Sequence, residues 1–322
     1  MIYDPIGRSF KKLRVSLTHD CNYACLYCAS GDHDLIANDP GVNSNHHRPH
    51  LKTDELLTII KKLNNELQLE AVRLTGGEPL LHPRLRSIVL GIKELGIENI
   101  GMTTNGHLLA GKATELYAAG LKSVNISLDA ISEQTFTRMS RFYGLSKVLK
   151  SIDKVIETGL TVKLNCVVVA DENEKEIVPL LEYAMQKGIV IRFLELMNMG
   201  PLHSKGSTKI VTAQNILETI AEKYSFIHLP DEHGSTAKYW SINGIKVFGI
   251  IANDSSPFCN ECNRLRLDSY GNIYGCLSSL IPVEVGPEIT RFKLKSALQM
   301  AITHKQQTHF VGNKRTMQSI GG

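Results

Sequence analysis

Six short apolar runs recur along the first two thirds of the chain, and helix-like stretches stand between them. The runs are 13–17, 71–74, 100–103, 123–127, 162–169 and 189–194. The helix-like stretches are 53–67, 85–95, 111–119, 146–158 and 177–187, and Thr53 is a candidate N-cap for the first of them. The runs are more continuously apolar than alternating, as parallel strands covered on both faces are. The succession therefore predicts a parallel sheet with helices outside it, and leaves barrel and open sheet both possible.

The composition changes at about 199–208, where Gly, Pro, Ser, His and Lys predominate and indicate a boundary. Beyond it we expect one helix and two hairpins, the first hairpin turning at Asn243-Gly244. These elements are the helix 212–224, the strand pair 238–242 and 245–251, and the strand pair 264–268 and 273–277. The sequence therefore predicts two domains, an α/β domain over 1–200 and a smaller α+β domain over 201–322.

Length and charge exclude several classes of protein. The chain has 322 residues, of which 43% are hydrophobic and 21% charged, as is usual for a globular protein with a sizeable core. A net charge of +4, with Lys and Arg scattered, does not suggest a nucleic-acid binder. Since neither an export signal nor an apolar run of about 18 residues is evident, we expect a cytoplasmic protein that does not enter a membrane.

The chain has seven cysteines, and six of them fall into two tight groups. Because the cytosol keeps thiols reduced, grouped cysteines in such a chain are more typical of metal ligands than of disulfides. The first group is Cys21, Cys25 and Cys28, and the second is Cys259, Cys262 and Cys276, with Cys166 standing alone.

The first group supplies three thiolates directly after the first predicted strand. A structural zinc or an ordinary four-iron cluster takes four protein ligands, so three leave one metal position open for an exchangeable ligand. The alternative is a zinc site completed by a histidine from the polar loop that we expect at 30–50. The candidates for that fourth ligand are His33, His46, His47 and His50.

The second group also offers three ligands, with Cys276 expected on the far strand of the second hairpin. A zinc ribbon would need a fourth ligand, and His233 is too distant in sequence to predict as one. A second cluster with one open iron fits better, and that iron could bind a substrate nitrogen or oxygen.

Basic residues are expected to surround these groups. Arg264 and Arg266 alternate along one strand and so share a face. Further cations stand in four different apolar strands, where an unpaired charge is costly. They can converge on one lumen if the sheet closes, and they are Arg14, Arg73, Lys163 and Arg192.

The first cysteine group, with Tyr27 before its last member, resembles the signature of the radical S-adenosylmethionine superfamily. The stretch Gly76-Gly77-Glu78-Pro79, at the end of the second predicted strand, resembles that superfamily's GGEP motif. The resemblance implies a [4Fe-4S] cluster whose open iron chelates the methionine part of S-adenosylmethionine. An electron from the cluster then releases a 5′-deoxyadenosyl radical. Residues implied to contact S-adenosylmethionine are Tyr27, Gly77, Ser127 and Met197.

Over nearly its whole length the chain is similar to the GTP 3′,8-cyclase family of molybdenum cofactor biosynthesis, also called molybdenum cofactor biosynthesis protein A. The similarity includes 13–18, 73–79, 103–106, 124–130, 191–197, 259–276 and the final Gly321-Gly322. It implies an incomplete (β/α)6 barrel of the TIM type, closed on its open side by the C-terminal domain. It further implies two [4Fe-4S] clusters, with the guanine of GTP on the open iron of the second.

The family's reaction is a radical cyclisation in the carbon–carbon lyase class. The radical removes the ribose 3′ hydrogen, and the carbon radical adds to guanine C8. The expected product is (8S)-3′,8-cyclo-7,8-dihydroguanosine 5′-triphosphate. Expected partners are an electron donor and cyclic pyranopterin monophosphate synthase, which acts on the product, and the sequence leaves monomer and homodimer open.

The family's GTP-binding residues carry over onto Arg14, Arg73, Thr103, Lys163, Arg192, Arg264, Leu265 and Arg266. Gly321 and Gly322 match a tail that reaches into the active site. One departure concerns the phosphates: the family commonly has a lysine where this chain has Ala71. Two alternatives remain, another radical enzyme with an auxiliary cluster, such as a peptide-modifying one, and a non-catalytic electron-transfer protein.

Overall fold

The computed structural model describes residues 2–28, 50–205, 209–312, 316–317 and 320. The predicted loop at 30–50, except for its last residue, and the Gly321-Gly322 tail lie outside these residues. In the described part of the chain, no helix combines the length and the apolar character that a membrane crossing requires.

Twelve strands form one sheet in the described residues. The first six are β1 Lys12–Ser16, β2 Ala71–Thr75, β3 Asn99–Thr104, β4 Ser123–Ser127, β5 Thr161–Val168 and β6 Val190–Glu195. The others are β7 Ile227–His228, β8 Lys238–Ile242, β9 Ile245–Ile251, β10 Arg264–Leu267, β11 Asn272–Tyr274 and β12 Val283–Glu284. Each of the six predicted runs is a strand within two residues of its expected ends, and the hairpin at Asn243-Gly244 is confirmed with both turn residues at positive φ.

The six strands β1 to β6 pair in sequence order, and every pair is parallel. Strand β9 adds to this core beside β6 and β10 adds beside β1, both in parallel. The C-terminal region thus extends both edges of the same sheet. The predicted α/β class with a parallel core is confirmed, while the division of the chain at residue 200 stays a prediction.

Eight α-helices are described, and those between the first six strands cover the outer face of the sheet. They are α1 Thr53–Leu67, α2 Leu85–Glu94, α3 Ala113–Ala119, α4 Glu133–Ser140, α5 Leu145–Glu157, α6 Ile177–Gln186, α7 Ala213–Ala221 and α8 Arg291–Thr303. In α1, the stripe Leu56, Ile59, Ile60, Leu63 and Leu67 is buried, as its spacing predicts. The Thr53 N-cap prediction is wrong: Lys52 is the N-cap, and Thr53 is already the first helical residue.

The chain closes the open side of the sheet between β9 and β10. Because β9 runs parallel to β6 and β10 parallel to β1, the segment 252–263 leaves β9 at the carboxyl end of the strands and reaches β10 at the amino end. It is fixed at its start by the Glu195 carboxylate, which accepts from the backbone of Asp254 at 2.9 Å, and at its end by the Asn263 carbonyl, which accepts from Lys12 N at 3.3 Å. This closing segment carries Cys259 and Cys262.

Candidate active site

Both cysteine groups line one cavity of about 490 Å³ inside the curled sheet. Residues of all six core strands face it, among them Arg14, Arg73, Thr103, Asn125, Asn165 and Arg192. Cys21, Cys25 and Cys28 lie at the carboxyl ends of the strands, where parallel folds place their ligands. The closing segment brings Cys259 and Cys262 to the same space, and Cys276 joins them.

The first cysteine loop is held from both sides. Ala24 N and Leu26 N donate to the carbonyls of Ser140 and Met139, at 3.1 and 2.9 Å, at the end of α4. The Tyr23 ring stacks on Phe142 with 4.7 Å between centroids. The loop is therefore fixed by the helix after β4 as well as by β1.

The GGEP loop packs directly against the chain that leads into Cys21. Gly77 N donates to the Thr18 carbonyl at 2.7 Å, and Glu78 N donates to the Asp20 carbonyl at 2.8 Å. A Cβ on Gly77 would lie 2.2 Å from that Asp20 oxygen, so only glycine permits this approach. Gly76, at φ +146°, adopts a backbone conformation that side chains rarely allow.

Two buried carboxylates fasten these loops. Glu78 accepts from Thr104 Oγ1 at 2.7 Å and from Asn105 N at 2.7 Å, and burial raises its pKa to about 7. Asp129 accepts from the Tyr27 hydroxyl at 2.8 Å and from Val167 N at 2.9 Å, and burial raises its pKa to about 6. Tyr27, predicted from the sequence as a cofactor residue, thus also ties the cysteine loop to the end of β4.

The first thiols fit a cluster by their chemistry. None of the seven cysteines is in a disulfide. Burial raises the pKa of Cys21 to about 11 and also raises the pKa of Cys25 well above its usual value, so metal binding, which displaces the proton, favours their thiolate forms. Among the described residues, no three His, Cys, Asp or Glu side chains are close enough to share one ion. In a four-iron cluster each thiolate binds its own iron, so the ligands need not share one.

The second group lies in a more positive setting. Cys259 begins a short 3-10 helix, Cys259–Glu261, and its carbonyl accepts from the Arg8 guanidinium. Burial alone would raise the pKa of Cys262, but the positive charges of Arg264 and Lys305 hold that pKa well below its usual range. Cys276 lies two residues beyond the end of β11. The expectation that Cys276 stands on the far strand is therefore wrong, because β11 ends early at Tyr274.

All five predicted arginines line the cavity, namely Arg14, Arg73, Arg192, Arg264 and Arg266. Strand register sets Arg266, Arg14 and Arg73 side by side on β10, β1 and β2. Burial and then Arg266 and Arg264 lower the pKa of Arg14, and burial lowers that of Arg73 to about 10. These shifts mark a site in which cations face each other rather than acids.

Hydrogen bonds to neighbouring strands fix the orientation of the Arg73 and Arg192 side chains. The Arg73 guanidinium crosses β3, donating to the Met102 carbonyl at 3.1 Å and to Ser123 Oγ at 3.4 Å. It passes over Gly101, where a Cβ would lie 2.6 Å from Arg73 Nη2. Arg192 donates twice to Asn165 Oδ1, at 2.9 and 2.6 Å.

The acidic side chains on the cavity wall do not neutralise these arginines. Glu78 is engaged by the groups described above, and Glu195 accepts from the backbone N–H groups of Ala213 at 2.7 Å and Ser255 at 3.0 Å. Since these carboxylates already carry several hydrogen bonds, the wall is predominantly positive. Such a wall attracts a multiply charged anion.

The structure differs from the sequence prediction at several positions. Gly77, Thr103, Ser127 and Met197 line the cavity with Tyr27, as expected, but Lys163 and Leu265 are not among the lining residues. Lys163 shares a strand face with Asn165 but lies at the start of β5, with its ammonium 5.6 Å from the centre of the Tyr239 ring. Leu265 is fully buried, because its side chain alternates away from Arg264 and Arg266.

Sequence reasoning missed several lining residues, among them Lys12, Gly101 and Lys305. Lys12 pairs in register with Ala71 on one side and Arg264 on the other, so it places an ammonium next to the position where the family's lysine is absent. Strand alternation with Arg14 could have identified Lys12. Lys122, which immediately precedes β4, is exposed and does not line the cavity, so it does not replace that lysine.

Comparisons with known proteins agree with this geometry. Residues 15–184 match the radical SAM superfamily, and residues 189–311 match the family described as Molybdenum Cofactor Synthesis C. The chain is 36% identical to GTP 3′,8-cyclase of Staphylococcus haemolyticus strain JCSC1435 over 312 residues, covering 94% of this chain and 86% of the relative. It is 35% identical to GTP 3′,8-cyclase of Staphylococcus aureus strain Mu3, covering 95% and 87%.

Solved structures show the same fold at low identity. Native anSMEcpe with bound AdoMet superposes with a TM-score of 0.61 at 16% identity, over 93% of this chain and 84% of that one. Streptococcus suis SuiB bound to S-adenosylmethionine gives a TM-score of 0.59 at 13% identity, over 87% and 63%. With both domain types matched and relatives aligned along most of its length, this chain belongs to the radical SAM superfamily and, within it, to the GTP 3′,8-cyclase family.

Proposed function

We propose that this chain cyclises GTP to (8S)-3′,8-cyclo-7,8-dihydroguanosine 5′-triphosphate, the first step of molybdenum cofactor biosynthesis. The observation that carries the proposal is the meeting of two three-thiol groups in one cavity, with arginines on the wall around it. The residues that generate the radical, bind the base and bind the phosphates then line the same cavity. The reaction takes place in the cytoplasm, with an electron donor before it and cyclic pyranopterin monophosphate synthase after it.

Cys21, Cys25 and Cys28 hold the first [4Fe-4S] cluster. When bound, this cluster supplies the electron that cleaves S-adenosylmethionine to methionine and the 5′-deoxyadenosyl radical. Gly77 follows β2, Ser127 is the last residue of β4, and Met197 follows β6. All three therefore lie at the same end of the barrel as the first thiols. They would contact S-adenosylmethionine there, and the Tyr27–Asp129 hydrogen bond keeps the cysteine loop in place.

The arginine row binds the triphosphate of GTP. Planar guanidinium groups form paired hydrogen bonds with phosphate oxygens, and Arg266, Arg14 and Arg73 stand on adjacent strands. Burial and then repulsion from Arg266 and Arg264 lower the pKa of Arg14, and a bound polyanion relieves that repulsion. Lys12, which is beside Arg264 and Ala71, contributes a further cation to this cradle.

Cys259, Cys262 and Cys276 would hold the second cluster, which would supply a metal site for the guanine. Arg264 and Arg266 follow Cys262 within four residues, so the groups that hold the base and the phosphates belong to one short stretch of chain. GTP bound in this way spans the cavity and presents its ribose toward the S-adenosylmethionine end. Thr103, Lys163, Arg192 and the Gly321-Gly322 tail remain proposed contributors from the family match.

Anaerobic reconstitution tests the proposal. With iron, sulfide, dithionite, S-adenosylmethionine and GTP, we expect 5′-deoxyadenosine and the cyclised triphosphate in equal amounts. Formation of 5′-deoxyadenosine with unchanged GTP would contradict the cyclase assignment and favour a different radical enzyme. Absence of 5′-deoxyadenosine from protein with both clusters loaded would contradict the radical mechanism itself.

A further inference from the structure

Lys305 lies two residues beyond the end of α8, and its side chain enters the wall of the cavity beside the second cysteine group. Only 6% of the residue is exposed. Its Nζ donates to Cys262 Sγ at 3.3 Å, to the Arg264 carbonyl at 2.9 Å and to the Gly275 carbonyl at 2.8 Å. An ammonium has three donors, and these three contacts use all of them.

A buried ammonium is costly unless an anion compensates it. Two of the acceptors of Lys305 are neutral carbonyls, and the third is the Cys262 sulfur, which is an anion once it ligates a metal. Among the described ion pairs, none joins Lys305 to an aspartate or glutamate. The environment of Lys305 is thus built for a charged sulfur rather than for a carboxylate.

The same three contacts connect separate parts of the second group. Arg264 begins β10, directly after the closing segment, and Gly275 immediately precedes Cys276. Helix α8 packs directly against Gly275. A Cβ at this position would lie 2.0 Å from the Ala301 carbonyl oxygen, so only glycine permits the contact. One ammonium therefore sets the spacing between Cys262 and the turn that carries Cys276.

We propose that Lys305 is a positioning residue for the second cluster, which fixes Cys262 relative to Cys276 and donates a charge-assisted hydrogen bond to the Cys262 thiolate. Hydrogen bonds and positive charge at cluster sulfurs stabilise the reduced form and so raise the reduction potential. The inference rests on the proposed function only in requiring a cluster at the second group. It assigns Lys305 no contact with GTP.

The test uses the full chain carrying Cys21→Ala, Cys25→Ala and Cys28→Ala, so that any cluster signal comes from the second group. Lys305→Met is added to remove the charge while keeping the length of the side chain. We measure iron per chain and the midpoint potential by a redox titration followed by electron paramagnetic resonance. We expect the reduction equilibrium to move about tenfold toward the oxidised cluster, which is about 59 mV for one electron.

Lys62→Met in the same background is the matched control. Lys62 Nζ also binds two carbonyls, those of Pro287 at 2.5 Å and Ile289 at 3.0 Å, but the contacts described for it include no sulfur. Its substitution should leave the potential unchanged, and an equal shift in both variants would overturn the proposal. If Lys305→Met does not fold, Lys305→Gln keeps amide donors for the carbonyls, and a potential equal to that of the parent would overturn the proposal as well.

The result also separates this inference from the proposed function. A parent chain that binds no iron at the second group refutes the cluster assignment, and the role of Lys305 with it. A parent that binds a cluster whose potential does not respond to Lys305 refutes only the role of Lys305. A selective negative shift in the Lys305 variant supports both.

Discussion

Replacing Gly101 with alanine tests what orients the arginines of the cavity wall, because the Arg73 guanidinium packs directly against Gly101. An added Cβ would lie 2.6 Å from Arg73 Nη2, 2.8 Å from Cζ and 2.9 Å from Ser123 Oγ. Real Cβ atoms essentially never approach that closely, so the guanidinium must leave its position over β3. The displaced group is the end of a flexible side chain, and a strand accepts alanine, so we expect the free energy of unfolding to change by less than about 1 kcal/mol.

The effect on GTP binding should be much larger. A hydrogen bond to a charged group contributes about 1.5 to 3 kcal/mol, which corresponds to roughly a 10- to 150-fold increase in Kd when it is lost. Equilibrium dialysis of radiolabelled GTP against the reconstituted anaerobic protein measures this directly. Gly111→Ala is the matched control, since nothing lies within 4 Å of a Cβ added at Gly111.

A double-mutant cycle decides whether the effect acts through Arg73. If Gly101→Ala weakens binding only by displacing that guanidinium, it should add almost nothing in an Arg73→Ala background. An equal loss of affinity in both backgrounds would show that the new methyl group blocks GTP directly. Unchanged affinity in the single variant would refute the placement of Arg73 on the triphosphate.

Three further outcomes follow from the same geometry. Lys12→Ala should raise the Kd for GTP about tenfold. Adding Ala71→Lys to that variant should restore most of the affinity, because positions 12 and 71 are register partners. If dialysis shows no recovery of GTP affinity, the two positions do not share this role. Gly77→Ala places a Cβ 2.2 Å from a backbone oxygen, so the loop must move and the yield of 5′-deoxyadenosine should fall. A normal yield in a chromatographic assay would refute this prediction. Cys276→Ala should still cleave S-adenosylmethionine but form no cyclised product, and product detected by mass spectrometry would remove the second cluster from the mechanism.

The strands were predictable because burial on both sides of a parallel sheet leaves continuous apolar runs, and Ser123–Ser127 was located to the residue. Two of the described helices were not predicted. Helix α4 is short and mostly polar, and α8 carries apolar residues on more than one face, with Phe292 80% exposed while Leu298 is fully buried. In α8, apolar residues outside the buried stripe weaken the helical periodicity of the sequence; the stripe is Leu294, Ala297, Leu298, Ala301 and Ile302.

The site was predictable where a short motif or strand alternation determines it. Spacing identified both cysteine groups, and alternation set Arg264 and Arg266 on one face. The same alternation turns the Leu265 side chain away from the cavity. Lys305 and Gly101 could not be found this way, because their roles depend on contacts between elements far apart in sequence.

The most direct test of the central claim is the fate of the ribose 3′ hydrogen. The reconstituted enzyme is given dithionite, S-adenosylmethionine and GTP deuterated at the 3′ carbon, and the 5′-deoxyadenosine formed is analysed by mass spectrometry. The two cysteine groups facing one cavity predict one deuterium in each 5′-deoxyadenosine, together with an equal amount of cyclised triphosphate. 5′-Deoxyadenosine without deuterium, from protein that carries both clusters and binds GTP, would contradict the account.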